Sequence, residues 1–405
     1  MTDITDKNSG NDKNGKSNEG GKSGKLQPKL RFKGFTDAWE QRALGELYKL
    51  NTERNGNQFK ANKTISISTM TFKPKGNGAD NNSLKTYKVL RLGDVAYEGH
   101  TNNEFAYGRF VLNDIGDGIM SPRFSCLRPL KVQNILFWKE YIHSELVMRN
   151  ILVRSTKKGT MMNELVPEDF LRNKIKVPSS REQECIGSLF RCLDSLIAAA
   201  ERKVRLLRKK KHAYLNHIFT QHLRFTGHTT PWQTKKLGEL ERKQKIRLGR
   251  GKVISESDIT STPGKYPIYS SSARNNGEMG RYGLWMFNQE LVTWSIDGGG
   301  SVFYRSKHRF SITNVCGFVQ VLMNIDCPFL AYQMMYIHNK IHFDYTVKAH
   351  PSVIRKLYFL EVPNIEEQAK IGNFFQTLDS LITAAERKAN LLKKKKQAYL
   401  QKMFI

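Results

Sequence analysis

The chain has 405 residues, with 66 Lys and Arg against 37 Asp and Glu, a formal net charge of +29 at pH 7. Its 39% hydrophobic content, with 22 Phe, 15 Tyr and 5 Trp, excludes a disordered polycation, and the length predicts two or three domains. The charge favours an anionic partner, and nucleic acid is preferred over a membrane surface: no run approaches about 18 apolar residues, and the first residues lack the apolar core of a secretory signal.

In chain order, residues 1–27 are mostly Asn, Gly, Lys, Asp and Ser and predict a disordered polar tail. Leu30-Arg-Phe-Lys-Gly, Trp39 and Leu44-Gly-Glu-Leu47 follow, and they recur as Leu223-Arg-Phe-Thr-Gly, Trp232 and Leu237-Gly-Glu-Leu240. A first variable segment then carries short β-branched or aromatic runs at 64–71, 88–92 and 124–127, closed by a helical stretch near 137–153. Val177-Pro178 opens a long helical pattern through Phe219. A second variable segment has strand-like runs at 290–294, 301–304 and 317–322 and a helical stretch near 329–342. Val362-Pro363 through Phe404 then repeats Val177 through Phe219, with 26 of 43 positions identical.

The repeated segments have a seven-residue apolar period. Its seam includes Ile186, Phe190, Leu193, Ile197 and Leu207 in the first, and Ile371, Phe375, Leu378, Ile382 and Leu392 in the second. Five heptads predict coiled-coil helices, each needing a partner, and the chain supplies one to the other. The fold class read from this plan is α+β: two α+β domains separated by two long helices that form an antiparallel coiled coil, with a pseudo-two-fold internal repeat. The expected boundaries are 28–176 and 223–361 for the domains, and 177–222 and 362–405 for the helices.

Catalytic motifs are missing. Gly249-Arg-Gly-Lys252 lacks the first glycine and the Ser/Thr of a phosphate-binding loop, and 297–301 reads as a tight turn between strands. Glu201-Arg-Lys203 and Glu386-Arg-Lys388 imitate half of a nuclease metal site, but residues two apart on a helix do not face each other. The ten histidines are scattered. His338 and His342 lack the glutamate of a metalloprotease helix, so no metal site is expected. Cys126, Cys185, Cys192, Cys316 and Cys327 are odd in number and contain no C-x-x-C pair, which predicts a reduced, cytoplasmic protein.

The positive charge occurs as paired runs, Arg202 to Lys211 and Arg387 to Lys396, on the two long helices. Such runs suit either a solvated face or phosphate tracking. It also gathers with amides and aromatics in expected loops. The DNA-binding candidates are His100, Asn102, Asn103, Tyr107, Arg109, Arg123, Lys157 and Lys158 in the first domain. In the second they are Ser271, Arg274, Asn275, Asn276, Arg281, Arg305, Lys307, Arg309, Lys348 and His350. Forked Arg and amide groups match guanine and adenine edges.

The duplicated E-Q-x-x-I-G, L-D-S-L-I, A-E-R-K, L-L-x-K-K-K and A-Y-L signature, at Glu182–Leu215 and Glu367–Leu400, resembles the specificity subunits of type I restriction–modification systems. So do 264–270, 275–277, Val302-Phe-Tyr-Arg305 and 313–317 in the second domain and, more loosely, 93–97 and 118–122 in the first. The resemblance implies a chain without catalysis of its own. Each domain would be a target recognition domain reading one half of a bipartite double-stranded DNA sequence, and the helix pair would set the gap. Two modification (methyltransferase) subunits carrying S-adenosylmethionine and restriction (motor/nuclease) subunits using ATP and Mg2+ would be the partners, with no cofactor on this chain and no membrane. The competing reading is a basic coiled-coil scaffold whose domains bind proteins.

Overall fold

A computed structural model describes residues 4–6, 28–272, 274–297, 301–341, 343 and 348–404, the side chains of 4–6 and 274 excepted. The expected polar tail lies outside the described residues apart from Ile4–Asp6, whose backbone pairs antiparallel with Leu30–Phe32. The chain forms two compact units. Unit 1 comprises Met1–Ala199 with Ala389–Ile405, and unit 2 comprises Ala200–Lys388. The division falls inside two 40-residue helices, Ser180–Phe219 and Ile365–Phe404. Each unit therefore contains the opening half of one long helix and the closing half of the other.

The long helices start alike because their caps are repeated. Ser179 Oγ accepts from the Glu182 N–H at 3.4 Å, and Asn364 Oδ1 accepts from the Glu367 N–H at 2.9 Å. Gln183 and Gln368 donate side-chain N–H groups to the carbonyls of Pro178 (3.0 Å) and Pro363 (2.8 Å), so the proline turn satisfies itself on the helix that it precedes.

Within unit 1, Phe190 and Phe404 pack with ring centroids 5.7 Å apart, and Lys396 Nζ lies 2.7 Å from Asp194 Oδ1. Advancing along one helix thus means receding along the other, and the two segments are antiparallel. Unit 2 repeats this: Phe219 stacks on Phe375 at 6.0 Å, and Lys211 Nζ meets Asp379 Oδ1 at 2.6 Å. The expected seam is on the inside. Ile186, Phe190, Leu193, Ile371, Phe375, Leu378 and Ile382 are buried, while Ile197, Leu207 and Leu392 are half-buried.

Each unit adds its own α+β part. Unit 1 has an antiparallel sheet in the order 48–50, 125–129, 95–98, 109–112, backed by Ile135–His143. The sequence predicts one helix over 137–153; there are two, Ile135–His143 and Glu145–Ser155, broken at Ser144, whose ψ of 116° is extended. The expected strand at 64–71 is a tight hairpin of Ile65–Ser66 and Thr71–Phe72, closed through Met70 at φ +44°. Unit 2 has a six-stranded sheet in the order 246–250, 316–321, 287–295, 302–312, 266–269, 278–282, packed on Cys327–His338.

The strand just ahead of each variable segment closes it. Glu40–Ala43 pairs with Lys174–Val177, and Gln233–Lys236 pairs with Phe359–Val362, in matching registers. At these junctions lie two equivalent buried ion pairs. Arg31 Nε and Nη2 donate to the Glu182 carboxylate at 2.8 and 2.7 Å, and the Trp39 indole N–H adds a third bond at 3.1 Å. Arg224 (3.0 and 2.7 Å) and Trp232 (3.1 Å) treat Glu367 in the same way. Only 1% of either glutamate side chain is exposed. Bidentate pairing plus a further donor is what makes a buried carboxylate tolerable.

Glycines hold the next contact. A Cβ on Gly187 would stand 2.8 Å from the Phe137 N, and one on Gly372 would stand 2.4 Å from Asp326 Oδ1 and 3.0 Å from the Phe329 N. The long helix thus meets the N-terminus of the helix behind each sheet at backbone distance. Replacing Glu182 by Ala leaves Arg31 as an uncompensated buried charge, a loss of about 3–5 kcal/mol. Amide exchange across 30–43 and 174–190 is expected to quicken by roughly 100-fold or more, with unit 2 as internal reference. Unchanged protection would show that the pair does not hold the junction.

Candidate nucleic-acid interface

In unit 1 the hairpin Thr156–Lys157 and Glu164–Leu165 reaches back to Gly99, whose carbonyl accepts from the Asn163 N–H at 3.0 Å. Any Cβ on Gly99 would lie 1.8 Å from the Asn163 carbonyl oxygen, so only glycine allows this approach. Together with Arg123, Tyr97 and Met161 these residues line a surface cavity of about 420 Å³. The structure thus unites Arg123 with the hairpin that carries Lys157 and Lys158, beside the loop of His100. Lys157 and Lys158 are exposed, Lys157 in a 3.3 Å pair with Glu164. His100 is exposed and lies 3.8 Å from Glu98.

Other candidates of unit 1 have internal duties. Asn102 accepts from the N–H groups of Glu104 (2.8 Å) and Phe105 (2.9 Å) and builds its own turn, which leaves Asn103 exposed beside it. Tyr107 packs against the core, and its carbonyl takes the Tyr97 hydroxyl at 2.5 Å. Arg109 Nε donates to Glu98 at 2.7 Å and its guanidinium covers Phe105, so its fork is largely engaged. Arg91 and Arg128, which the loop pattern did not single out, bridge Glu53, Asp94 and Asp117. The bond from Arg91 in particular holds the Glu53 carboxyl below its ordinary range.

In unit 2 Ser271, Asn275 and Asn276 sit on one loop, the last two exposed in left-handed backbone with φ of +48° and +52°. The Arg274 side chain lies outside the described residues. Arg281 is exposed and joins Glu278 at 2.7 Å. Lys307 is exposed, and so is Arg309, which covers the Trp285 ring at 4.3 Å and donates to the Tyr266 hydroxyl at 2.9 Å. That aromatic shelf escaped the sequence reading because its members lie 19 or more residues apart. Lys348 pairs with Asp297 at 2.9 Å.

One candidate has a duty in the fold, and one expectation is corrected. His350 caps the helix Pro351–Leu357 through Nδ1, which accepts from the Ser352 N–H at 3.3 Å, so that nitrogen is occupied within the fold. Arg305 does not present its head-group to an outside ligand: it is only 5% exposed. A bulge explains why. Gln289 faces His308 while Leu291 faces Arg305, so one residue is inserted on the 302–312 strand. Strict alternation would put 305, 307 and 309 on one face; the insertion sends Arg305 inward with Phe310.

The helical charge runs are also partly internal. Lys211 and Lys396 bind the seam aspartates, whereas Arg202, Lys203, Arg205, Lys209, Lys210 and Arg208, which meets Glu386 at 2.6 Å, are exposed. Among the described residues no group of three or more His, Cys, Asp or Glu is placed to hold a metal. No helix among them is long and apolar enough to cross a membrane.

Residues 230–394 match the family model described as the type I restriction modification DNA specificity domain. Two putative type I specificity subunits of Mycoplasma pneumoniae are 34% identical over 160 residues (37% of this chain) and 47% identical over 90 residues (22%). The chain spans less than half the length of either, 41% and 48%. In fold it is similar to a type I S subunit from M. genitalium, with a TM-score of 0.64 at 14% identity over 94% of this chain and 99% of that one. Residues 230–394 thus match a type I restriction modification DNA specificity domain, parts of the chain are similar to type I specificity subunits, and its fold is similar to that of a type I S subunit.

Proposed function

We propose that this chain is the non-catalytic, DNA-reading subunit of a cytoplasmic type I restriction–modification complex. Residues 28–176 and 223–361 act as the two recognition domains, each reading one half of a split double-stranded target. The observation that carries this reading is one junction built twice, Arg31–Glu182–Trp39 and Arg224–Glu367–Trp232, each holding a sheet of different design. Two unlike readers on a repeated mount suit a target with two unlike halves.

Phosphate contacts from Lys157, Lys158, Lys307 and the exposed helix lysines supply affinity, and loop groups such as Asn103, Arg123, Asn275, Asn276 and Arg281 supply base discrimination. Two modification subunits bind the long helices. Leu196 and Leu381 are exposed at equivalent repeat positions, as are Leu206 and Leu391, which suits two copies of one partner. Those subunits bring S-adenosylmethionine, and restriction subunits bring ATP and Mg2+.

Co-purification with the modification subunit, followed by genome-wide mapping of N6-methyladenine, tests the whole reading: a split motif with a constant gap is expected, and its absence would leave the chain a scaffold. Arg281→Ala is expected to relax the second half-site alone, by roughly 1–3 kcal/mol of discrimination. A change confined to the first half-site would refute the assignment of domains. Inserting four residues after Ala200 and four after Ala385 lengthens the helix pair by about 6 Å. The gap in the methylated motif is expected to grow by about two base pairs; a constant gap would sink the spacer role.

A further inference from the structure

Arg305 is the least expected cation in unit 2. Its guanidinium lies 3.7 Å from the Tyr269 ring centroid and 4.5 Å from that of Phe303, between two aromatic faces. Nε donates to Thr293 Oγ1 at 2.9 Å, and Thr293 is itself buried. No carboxylate among the described residues pairs with it. Burial is strong enough to push its pKa down to about 10. Nη2 is buried and, among the described residues, has no hydrogen-bond partner.

The orphan nitrogen is aimed at one place. A Cβ on Gly277 would stand 3.2 Å from Arg305 Nη2, 3.0 Å from the Ser270 carbonyl oxygen and 3.2 Å from that of Ser272. Gly277 has φ +80° and follows Asn275 and Asn276, also left-handed, so three successive residues keep a backbone that side chains disfavour. The loop closes on itself where the Ser270 N–H donates to the Gly277 carbonyl at 2.8 Å. Arg305 therefore forms the floor of the loop that displays Ser271, Asn275 and Asn276.

We propose that Arg305 is a positioning residue for the second half-site: a buried cation that holds Ser270–Ser272 and Asn275–Gly277 in their reading geometry without itself touching DNA. This rests on the DNA-reading function proposed above. A planar guanidinium stacked on Tyr269 and Phe303 cannot shift without losing both faces, so its forked N–H groups are a fixed reference beneath the loop.

The test uses the full complex with its modification subunit and three variants: Arg305→Lys, Arg305→Gln and Gly277→Ala. Each is read by methylation mapping, by the slope of log affinity against log salt, and by Tm. Tolerance of wrong bases in the second half-site is expected to rise about tenfold in Arg305→Gln and Gly277→Ala, and less in Arg305→Lys, with the first half-site and the salt slope unchanged. A merely structural loss would lower Tm and the active fraction without changing which bases are accepted. If Arg305→Gln fails to fold, Arg305→Lys and Gly277→Ala carry the measurement. A salt slope lowered by about one with selectivity intact would make Arg305 a phosphate contact and overturn the proposal. Wild-type selectivity in the folded variants would overturn it too. A wild-type complex with no split target would instead overturn the DNA-reading function beneath it.

Discussion

The carboxylate at the start of each long helix is the constraint on which the rest depends. Glu182 and Glu367 are buried, and the desolvation of a buried carboxylate is offset only when its acceptor sites are filled. The Arg fork and a Trp indole fill them at 2.7–3.1 Å in both copies. The acid belongs to the helix, while the base and the indole belong to the segment that leads into the sheet. One interaction thereby ties a variable domain to its mount, and the adjacent glycine lets the mount come within backbone contact of the domain's own helix.

With attachment delegated to that junction, the domains beyond it are free to differ. Unit 1 has a four-stranded sheet and several two-stranded ribbons, whereas unit 2 has a six-stranded sheet beside the ribbon of Gln233–Lys236 and Phe359–Val362. Divergence reaches the mount as well. Lys396 answers Glu140 as well as Asp194, and Lys211 answers Asp379 beside the Tyr332 ring. Burial alone would depress the Lys396 pKa, but Glu140 and Asp194 raise it. Tyr332, whose hydroxyl donates to Asp379 at 2.8 Å, has its own pKa raised, first by burial and then by that carboxylate. A carboxylate and a phenol serve the same lysine position because each gives the half-buried ammonium a partner.

Among the candidate loop residues, legibility depended on how far a side chain's surroundings lie from it in sequence. Asn103 and Arg281 are exposed, as a polar residue between strand-like runs suggests. Arg305 differs from its expected setting because a bulge inverted its facing, and His350 caps a helix start through one ring nitrogen. The bulge leaves no mark in residue type, whereas Pro351 at the first helical position does mark the helix start. Arg305 looks like Arg309 until its register against 287–295 is known.

The sequence by itself determined the duplication, the seven-residue period of the long helices, their burial seam and the absence of familiar catalytic patterns, because these are properties of spacing along one chain. Only the tertiary structure decided that Glu182 and Glu367 are buried ion-pair partners, and which loop cations face outward. Those outcomes depend on residues 135 to 151 positions apart meeting at about 3 Å, and on a one-residue shift in strand register. Burial and hydrogen-bond partners are set by such meetings, and local pattern carries no record of them.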